Sequence, residues 1–434
     1  MTESGRSHLT RRRFTGMALA MGSALPAWLS AAEPPAPSPP AHPAITGPES
    51  LRAHAAARGV LYGAAVNPAL LDVEGLAGTG TTDGYTQLVG AQAGILVAEN
   101  AMKWAGLRPT ADTFDFSLGD RLLRFASLAG QRVRGHNLCW HEGLPAWFKT
   151  TATKDNAREL LIQHIQTVAG HFRGQLHSWD VVNEAIEPQD GRGDSLRKSP
   201  WLELIGPEYV EMAFQTAAQA DPAAKLTYND YGIELDTAEQ TAKRGQVLLL
   251  LRRMKARSVP IHAVGVQSHL QADGPQPGEG LKSFIREAAQ LGLEVYVTEM
   301  DVNTHSLDGG PDAQDAAVAR VYRDYLGMVL AEPNVPMALT WGITSAHSWL
   351  NASTQPWALR PDGARQRPLL FDDDLRPTPA FFAVRAAIDA AHPAAPLPEP
   401  SPVPAIDPGN LYKPFPVPGS PTAQPQAARP GTGR

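Results

Sequence analysis

The 434-residue chain has a single cysteine, Cys139. One thiol excludes an intrachain disulfide framework, a thiolate zinc site and an acylated cysteine near the N-terminus, so stability has to come from packing. Charge of one sign is also missing: 38 Lys and Arg stand against 44 Asp and Glu, and no long run of either sign interrupts the mixture. Such a surface has nothing to hold a phosphate backbone or an anionic membrane, and nucleic acid is not expected as a partner. The chain has no G-x-S-x-G elbow and no H-E-x-x-H helix, and Gly78-Thr79-Gly80 lacks the strand setting of a phosphate-binding turn. What is present is an ordinary globular balance, 43% hydrophobic and 19% charged, enough for a sizeable core.

Thr10-Arg11-Arg12-Arg13-Phe14 precedes a weakly apolar stretch from Gly16 to Leu29 and then the small residues Ser30, Ala31 and Ala32. This looks like a twin-arginine signal peptide over residues 1–32, and it predicts export of the folded protein to the periplasm or the medium. A membrane anchor needs about 20 apolar residues, and this stretch is shorter, rich in Gly and Ala, and broken by Pro26, so no stable anchor is expected. Residues 33–48 hold seven prolines and residues 393–434 hold thirteen, together 20 of the chain's 39. Proline removes backbone donors and its small neighbours bury little, so residues 33–49 read as a linker and 393–434 as a disordered tail.

Residues 50–392 alternate short β-rich runs with longer helical patterns. The predicted strands are Leu61 to Val66, Ile95 to Ala98, Arg132 to Cys139, Ser178 to Val182, Lys225 to Tyr228, Ala263 to Gln267, Glu294 to Thr298 and Met337 to Thr340. Helical stripes run over Asp155 to Phe172 and over Leu281 to Leu291, the second closed by Gly292. Eight strands alternating with helices in one α/β domain predict a (β/α)₈ TIM barrel, with its site at the C-terminal ends of the strands. A doubly wound sheet is the alternative. No oligomer interface is legible, and a monomer is expected.

The residues that follow the predicted strands are polar and aromatic. Glu99, Asn100, Lys103 and Trp104 follow the second strand; Arg134 and His136 lie within the third, with Trp140, His141 and Trp147 beyond it. Asp180, Asn183 and Glu184 close the fourth, Asn229, Asp230 and Tyr231 the fifth, and Gln267 and His269 the sixth. Glu299 and Asp301 follow the seventh, and Trp341, Trp349 and Trp357 the eighth. In a barrel all of these face one cleft. Glu184 and Glu299 then flank a bound chain as glycoside hydrolysis requires, one carboxyl protonated to assist the departing oxygen and one ionised to attack carbon or activate water. The tryptophans offer flat faces for sugar rings. A metal site built from His136, His141, Asp180 and His269 has no supporting local spacing, and no cofactor is needed. Cys139 reads as an inert core thiol, and Arg192-Gly193-Asp194 as a surface turn.

These ordered blocks, from Glu-Asn-x-Met-Lys-Trp at 99 to 104 through Trp-Asp-Val-Val-Asn-Glu-Ala at 179 to 185 and Thr-Glu-x-Asp at 298 to 301 to Ser-Trp at 348 and 349, resemble glycoside hydrolase family 10. That is the family of retaining endo-β-1,4-xylanases. The resemblance implies that Glu184 is the acid/base and Glu299 the nucleophile of a double displacement on xylan or xylooligosaccharides. It also implies that Lys103, His136, Trp140, Asn183, Gln267, His269 and Trp341 surround the sugar being cleaved. Glu99, Asn100, Lys103 and Trp349 would contact the next sugar on the glycone side. Asn183 is suited to hydrogen-bond a sugar 2-hydroxyl, and His269 with Asp301 to hold the nucleophile in place.

Three departures stand out. Glu142 and Gly143 replace a small residue and Gln, which predicts one lost amide contact; Thr378-Pro379 replaces Lys-Pro, expected to alter a surface or cleft-edge contact; and the loop from Asn303 to Ala316 is expected to reshape the cleft. Two other functions fit the same residues, a glycanase acting on cellooligosaccharides and a catalytically silent polysaccharide-binding protein.

Overall fold

The computed structural model describes residues 45–79 and 82–393. The segment expected to direct export, most of the first Pro-rich stretch and the C-terminal Pro-rich stretch lie outside the described residues.

Among the described residues nine strands form in chain order: β1 (Leu61–Val66), β2 (Ile95–Ala98), β3 (Arg132–Cys139), β4 (Ser178–Asn183), β5 (Lys225–Asp230), β6 (Ala263–Val266), β7 (His269–Gln271), β8 (Glu294–Asn303) and β9 (Met337–Thr340). All pairings among them are parallel. β1 to β6 lie side by side, β6 pairs with β8, β8 with β9, and β9 with β1, which closes an eight-stranded barrel. The short β7 continues β6 after a two-residue break and sets His269 opposite Asp301 on the far part of β8.

Helices fill the connections, among them Ser117–Ala129, Ala157–His171, Ala238–Ala256 and Pro311–Val329. Local chemistry marks their ends. The Thr237 side chain accepts from Gln240 N at the start of Ala238–Ala256, and Gly130 closes Ser117–Ala129 in the left-handed region with φ 63°. Both faces of the strands are buried, as a parallel sheet under helices requires. Ala65, Ile95, Val97, Ala263, Tyr296, Met337, Leu339 and Trp341 pack together as a cluster separate from the one the helices cover, and fill the barrel interior. Gly135 is there for space, since a Cβ at that position would lie 2.2 Å from the Trp179 ring.

The expected barrel is therefore present, and the differences lie at strand ends. β4, β5 and β8 run on to Asn183, Asp230 and Asn303, past the apolar runs that announce them, because polar residues continue the backbone pairing there. β6 stops one residue short of Gln267. The two helices expected at Asp155 to Phe172 and Leu281 to Leu291 span Ala157–His171 and Glu279–Gln290. Among the described residues no helix is long and apolar enough to cross a membrane. Because all eight staves point the same way, every strand C-terminus opens on one face.

Candidate active site

Glu184 follows β4 directly, with its backbone in the left-handed region at φ 59°, costly for a residue with a Cβ. Two contacts impose that turn: its amide donates to Asn229 O (2.8 Å), and its carbonyl accepts from Arg197 Nε (2.7 Å). The side chain is buried. Oε1 accepts from Gln267 Nε2 (2.8 Å) and Asn183 Nδ2 (3.0 Å), and Oε2 accepts from Trp140 Nε1 (2.9 Å). Burial is the main reason its pKa is pushed up to about 7; the negative charge of Asp230 adds to it, and the donated hydrogen bonds only partly oppose it.

Glu299 lies within β8, across the cleft, and is equally buried. Oε1 accepts from Asn229 Nδ2 (2.7 Å), and Oε2 lies 3.4 Å from His269 Nε2. His269 Nδ1 is in turn 2.9 Å from Asp301 Oδ1, and the other Asp301 oxygen accepts from Trp349 Nε1 (2.6 Å). With a carboxylate oxygen facing each ring nitrogen, His269 is held as a cation: burial disfavours the charge, but Asp301 and Glu299 outweigh it and raise its pKa well above the usual range. Burial alone would raise the pKa of Glu299 too. The His269 hydrogen bond and the charges of His136, His269 and Lys103 reverse that and pull it down to about 2.

The two carboxyls are joined by amides. Asn229 Nδ2 contacts both Glu299 Oε1 and Asn183 Oδ1 (2.9 Å), and Asn183 Nδ2 reaches Glu184. Thr298 Oγ1 donates to Asn229 Oδ1 (2.8 Å), which fixes the flip of that amide. Gly265 makes room for it, since a Cβ there would lie 2.1 Å from Asn229 Oδ1. The sequence pattern places Asn229 at the end of the fifth strand without assigning it a contact to either carboxyl. Gln267 and His269 reach the cleft from either side of Ser268, whose φ of 66° breaks the strand; its amide donates to Glu234 Oε1 (3.0 Å).

Lys103 Nζ donates to Asn100 Oδ1 (2.9 Å) and lies 5.1 Å from the Trp140 ring and 5.7 Å from that of Trp341. Burial lowers its pKa against the pull of Glu299, Glu99 and Glu184. The His136 ring packs edge-on against Trp341 (5.3 Å). Glu99 and Asn100 join Trp341 and Trp349 around a cavity of about 610 Å³ beside the carboxyls. Trp140, Asn183 and Gln267 thus contact Glu184, His269 contacts Glu299, and Asp301 stands behind His269.

The expectation for two tryptophans is corrected. Trp104 is not a sugar platform but fully buried, stacked 3.7 Å from His164 and packed on Trp201; Trp147 leans on it and donates to Arg108 O (2.9 Å). Asp180 is buried in an ion pair with Arg134 and contacts His136 Nδ1 (2.8 Å), and among the described residues no group of three or more His, Cys, Asp or Glu is placed to hold an ion. Cys139 is buried, and burial raises its thiol pKa well above the usual value.

Comparison with known proteins agrees with this geometry. The sequence profile of Glycosyl hydrolase family 10 matches residues 50–387. A "Beta-1,4-xylanase" of Dictyoglomus thermophilum is 34% identical over 308 residues, 69% of this chain and 83% of that protein. "Exoglucanase XynX" of Acetivibrio thermocellus is 35% identical over 338 residues, 74% of this chain but only 28% of that longer protein. The crystal structure of native xylanase 10B from Thermotoga maritima superimposes with a TM-score of 0.68 at 32% identity, covering 78% of this chain and 98% of that one. The chain belongs to glycosyl hydrolase family 10.

Two departures from the usual family 10 sequence now have a structural account. Gly143 takes φ 64° and its carbonyl accepts from Ala105 N (2.9 Å), so the loop after β3 is pinned without a side chain at that point, while Glu142 beside it is exposed. Thr378, expected at a surface or cleft-edge contact, is buried, and its hydroxyl donates to Leu370 O (3.1 Å) ahead of the helix Pro379–Asp389. The loop after Asn303 is tied to the segment that carries Trp357, through Asn303 Nδ2 to Trp357 O (3.2 Å) and Arg360 Nη1 to Thr304 O (2.6 Å).

Proposed function

We propose that the protein is a retaining endo-β-1,4-xylanase in which Glu184 is the acid/base and Glu299 the nucleophile. The observation that carries this is the opposite protonation of two carboxyls facing one cleft, Glu184 with its donors all neutral and its pKa raised to about 7, and Glu299 beside the His269 cation with its pKa lowered to about 2. At mildly acidic pH the first is a proton donor and the second an anion, the division of labour that double displacement needs. Glu299 attacks the anomeric carbon while Glu184 protonates the departing oxygen. The resulting Glu184 carboxylate then takes a proton from a water molecule as its oxygen bonds to the anomeric carbon, which breaks the bond to Glu299 and frees the sugar and the Glu299 carboxylate. Asn183 meets the 2-hydroxyl, where a hydrogen bond strengthens as positive charge develops on the ring. Lys103, His136, Trp140, Gln267, His269 and Trp341 surround the sugar being cleaved; Glu99, Asn100, Lys103 and Trp349 receive its neighbour. The names of the relatives support xylan as the substrate.

Product analysis on xylan tests the reading, with the protein beside its Glu184→Ala/Glu299→Ala double variant. Xylooligosaccharides of mixed length from the wild type alone support it. Release from carboxymethylcellulose but not xylan would move the substrate to cellulosic chains, and binding without cleavage of either would make the protein a polysaccharide binder. The reading includes export through the twin-arginine machinery to the periplasm or medium, supported by Arg11-Arg12 ahead of the Gly- and Ala-rich stretch. Replacing both arginines with lysine should retain the protein in the cytoplasm.

A further inference from the structure

Behind Glu184 lies a second cluster of buried charge. Lys243, on the helix Ala238–Ala256, is buried, with Nζ 2.9 Å from Asp230 Oδ1 but off the hydrogen-bonding directions, and 3.8 Å from the centroid of the Tyr231 ring. Asp230 ends β5, and its other oxygen accepts from the Tyr228 hydroxyl. The Tyr231 hydroxyl accepts from Arg197 Nη2 (2.9 Å) and faces Glu187 Oε2 (3.4 Å). Arg197 closes the chain of contacts, because its Nε holds the Glu184 carbonyl in the left-handed turn described above. Nothing in this chain of contacts touches the substrate cleft at Lys243 itself, yet it runs from Lys243 to the backbone of Glu184.

We propose that Lys243 is a positioning residue for the proton donor: its ammonium, clamped between Asp230 and the Tyr231 ring, fixes both the charge behind Glu184 and the loop on which Glu184 stands. The inference rests on the reading of Glu184 as acid/base. Two physical effects follow. Asp230 alone would leave an uncompensated negative charge behind the Glu184 carboxyl, which Lys243 offsets. The ion pair and the cation–π contact also hold Tyr231, and through it Arg197, where neither side chain is free to change rotamer. The other titratable groups that face Glu184 are His141 after β3, whose pKa burial lowers to about 4, Arg197 after β4, Lys103 after β2 and Glu299 on β8. Lys243 itself also faces Glu187 and His141.

The test compares kcat/KM for phenyl β-xylobioside, whose leaving group needs a proton, with that for 2,4-dinitrophenyl β-xylobioside, whose leaving group does not. In Lys243→Met the phenyl substrate should slow roughly tenfold or more, while the dinitrophenyl substrate stays within about twofold and so reports a folded cleft. The alkaline limb of the phenyl profile should rise by roughly half a pH unit or more, because an anion behind Glu184 is no longer balanced. Lys243→Arg keeps the charge and should return the limb toward the wild-type position. Should Lys243→Met fail to fold, Lys243→Met/Asp230→Asn removes both charges and should show the same split between leaving groups. Equal slowing of both substrates, or a limb that stays or falls, would overturn the proposal. Glu184→Ala run alongside separates the two ideas: if it slows both substrates equally, the acid/base reading fails, whereas a split in Glu184→Ala without one in the Lys243 variants sinks only this inference.

Discussion

Glu184 is 8% exposed and Glu299 5%, so depth cannot explain why one carboxyl is held near pKa 7 and the other near 2. The difference lies in what each faces. Around Glu184 the side-chain donors are neutral, two amides and an indole, and the charge that acts on it most is the negative one of Asp230. Around Glu299 stand the His269 cation, His136 and Lys103. Burial penalises an anion in both places, and only on the β8 side do positive charges repay it. The same barrel therefore carries a protonated carboxyl and an ionised one across one cleft because its strands deliver different neighbours to each.

The comparison breaks most completely in Glu299→Ala. Loss of the nucleophile should lower turnover of xylan by roughly 10⁴-fold or more in a protein that still binds sugar. Added azide should restore turnover and give a product of inverted configuration; a well-folded variant that azide does not rescue would count against the nucleophile. A smaller effect is expected from His269→Ala, which removes the group that keeps Glu299 ionised. The acid limb of kcat/KM should then move up by about one pH unit or more, since Glu299 takes a proton sooner. An unmoved limb would mean that His136 and Lys103 suffice.

The smallest effect concerns the packing that replaced an expected sugar platform. His164 is buried against Trp104, neither ring nitrogen has a hydrogen-bond partner, and burial holds its pKa well below 6.5. The unfolded chain takes up a proton below pH 6.5 and the native ring does not, so stability present at neutral pH is lost as pH falls. His164→Phe should reduce the loss between pH 8 and pH 5 by about 2 kcal/mol, read by chemical denaturation at the two pH values. An unchanged difference would show that His164 protonates in the native state.

Sequence patterning located all eight staves because each has an apolar run, and it placed Glu184 and Glu299 because they follow such runs directly. It stopped short where the pairing continues through polar residues: β8 extends over Glu299, Asp301 and Asn303, and part of that extension exists because β7 lies beside it. Trp104 was misread for a related reason. Position after a strand says that a side chain is near the cleft, but only the helix Ala157–His171, which sets His164 against the indole, decides that it faces the core. Asn229 and Lys243 were legible as residue types, but their work depends on contacts between elements far apart in the chain, Asn229 with Glu299 and Lys243 with Asp230 and Tyr231.

The central claim is that neighbours, not depth, set the two carboxyls apart, and a ¹³C NMR titration of the glutamate carboxyl carbons tests it most directly, with Glu184→Gln and Glu299→Gln to assign the signals. The account predicts one carboxyl titrating at about 7 and one still ionised as pH falls toward about 2, with kcat/KM dropping as pH rises through the first value because Glu184 has lost the proton it must donate. Two carboxyls titrating together in the ordinary range between 4 and 5 would contradict it.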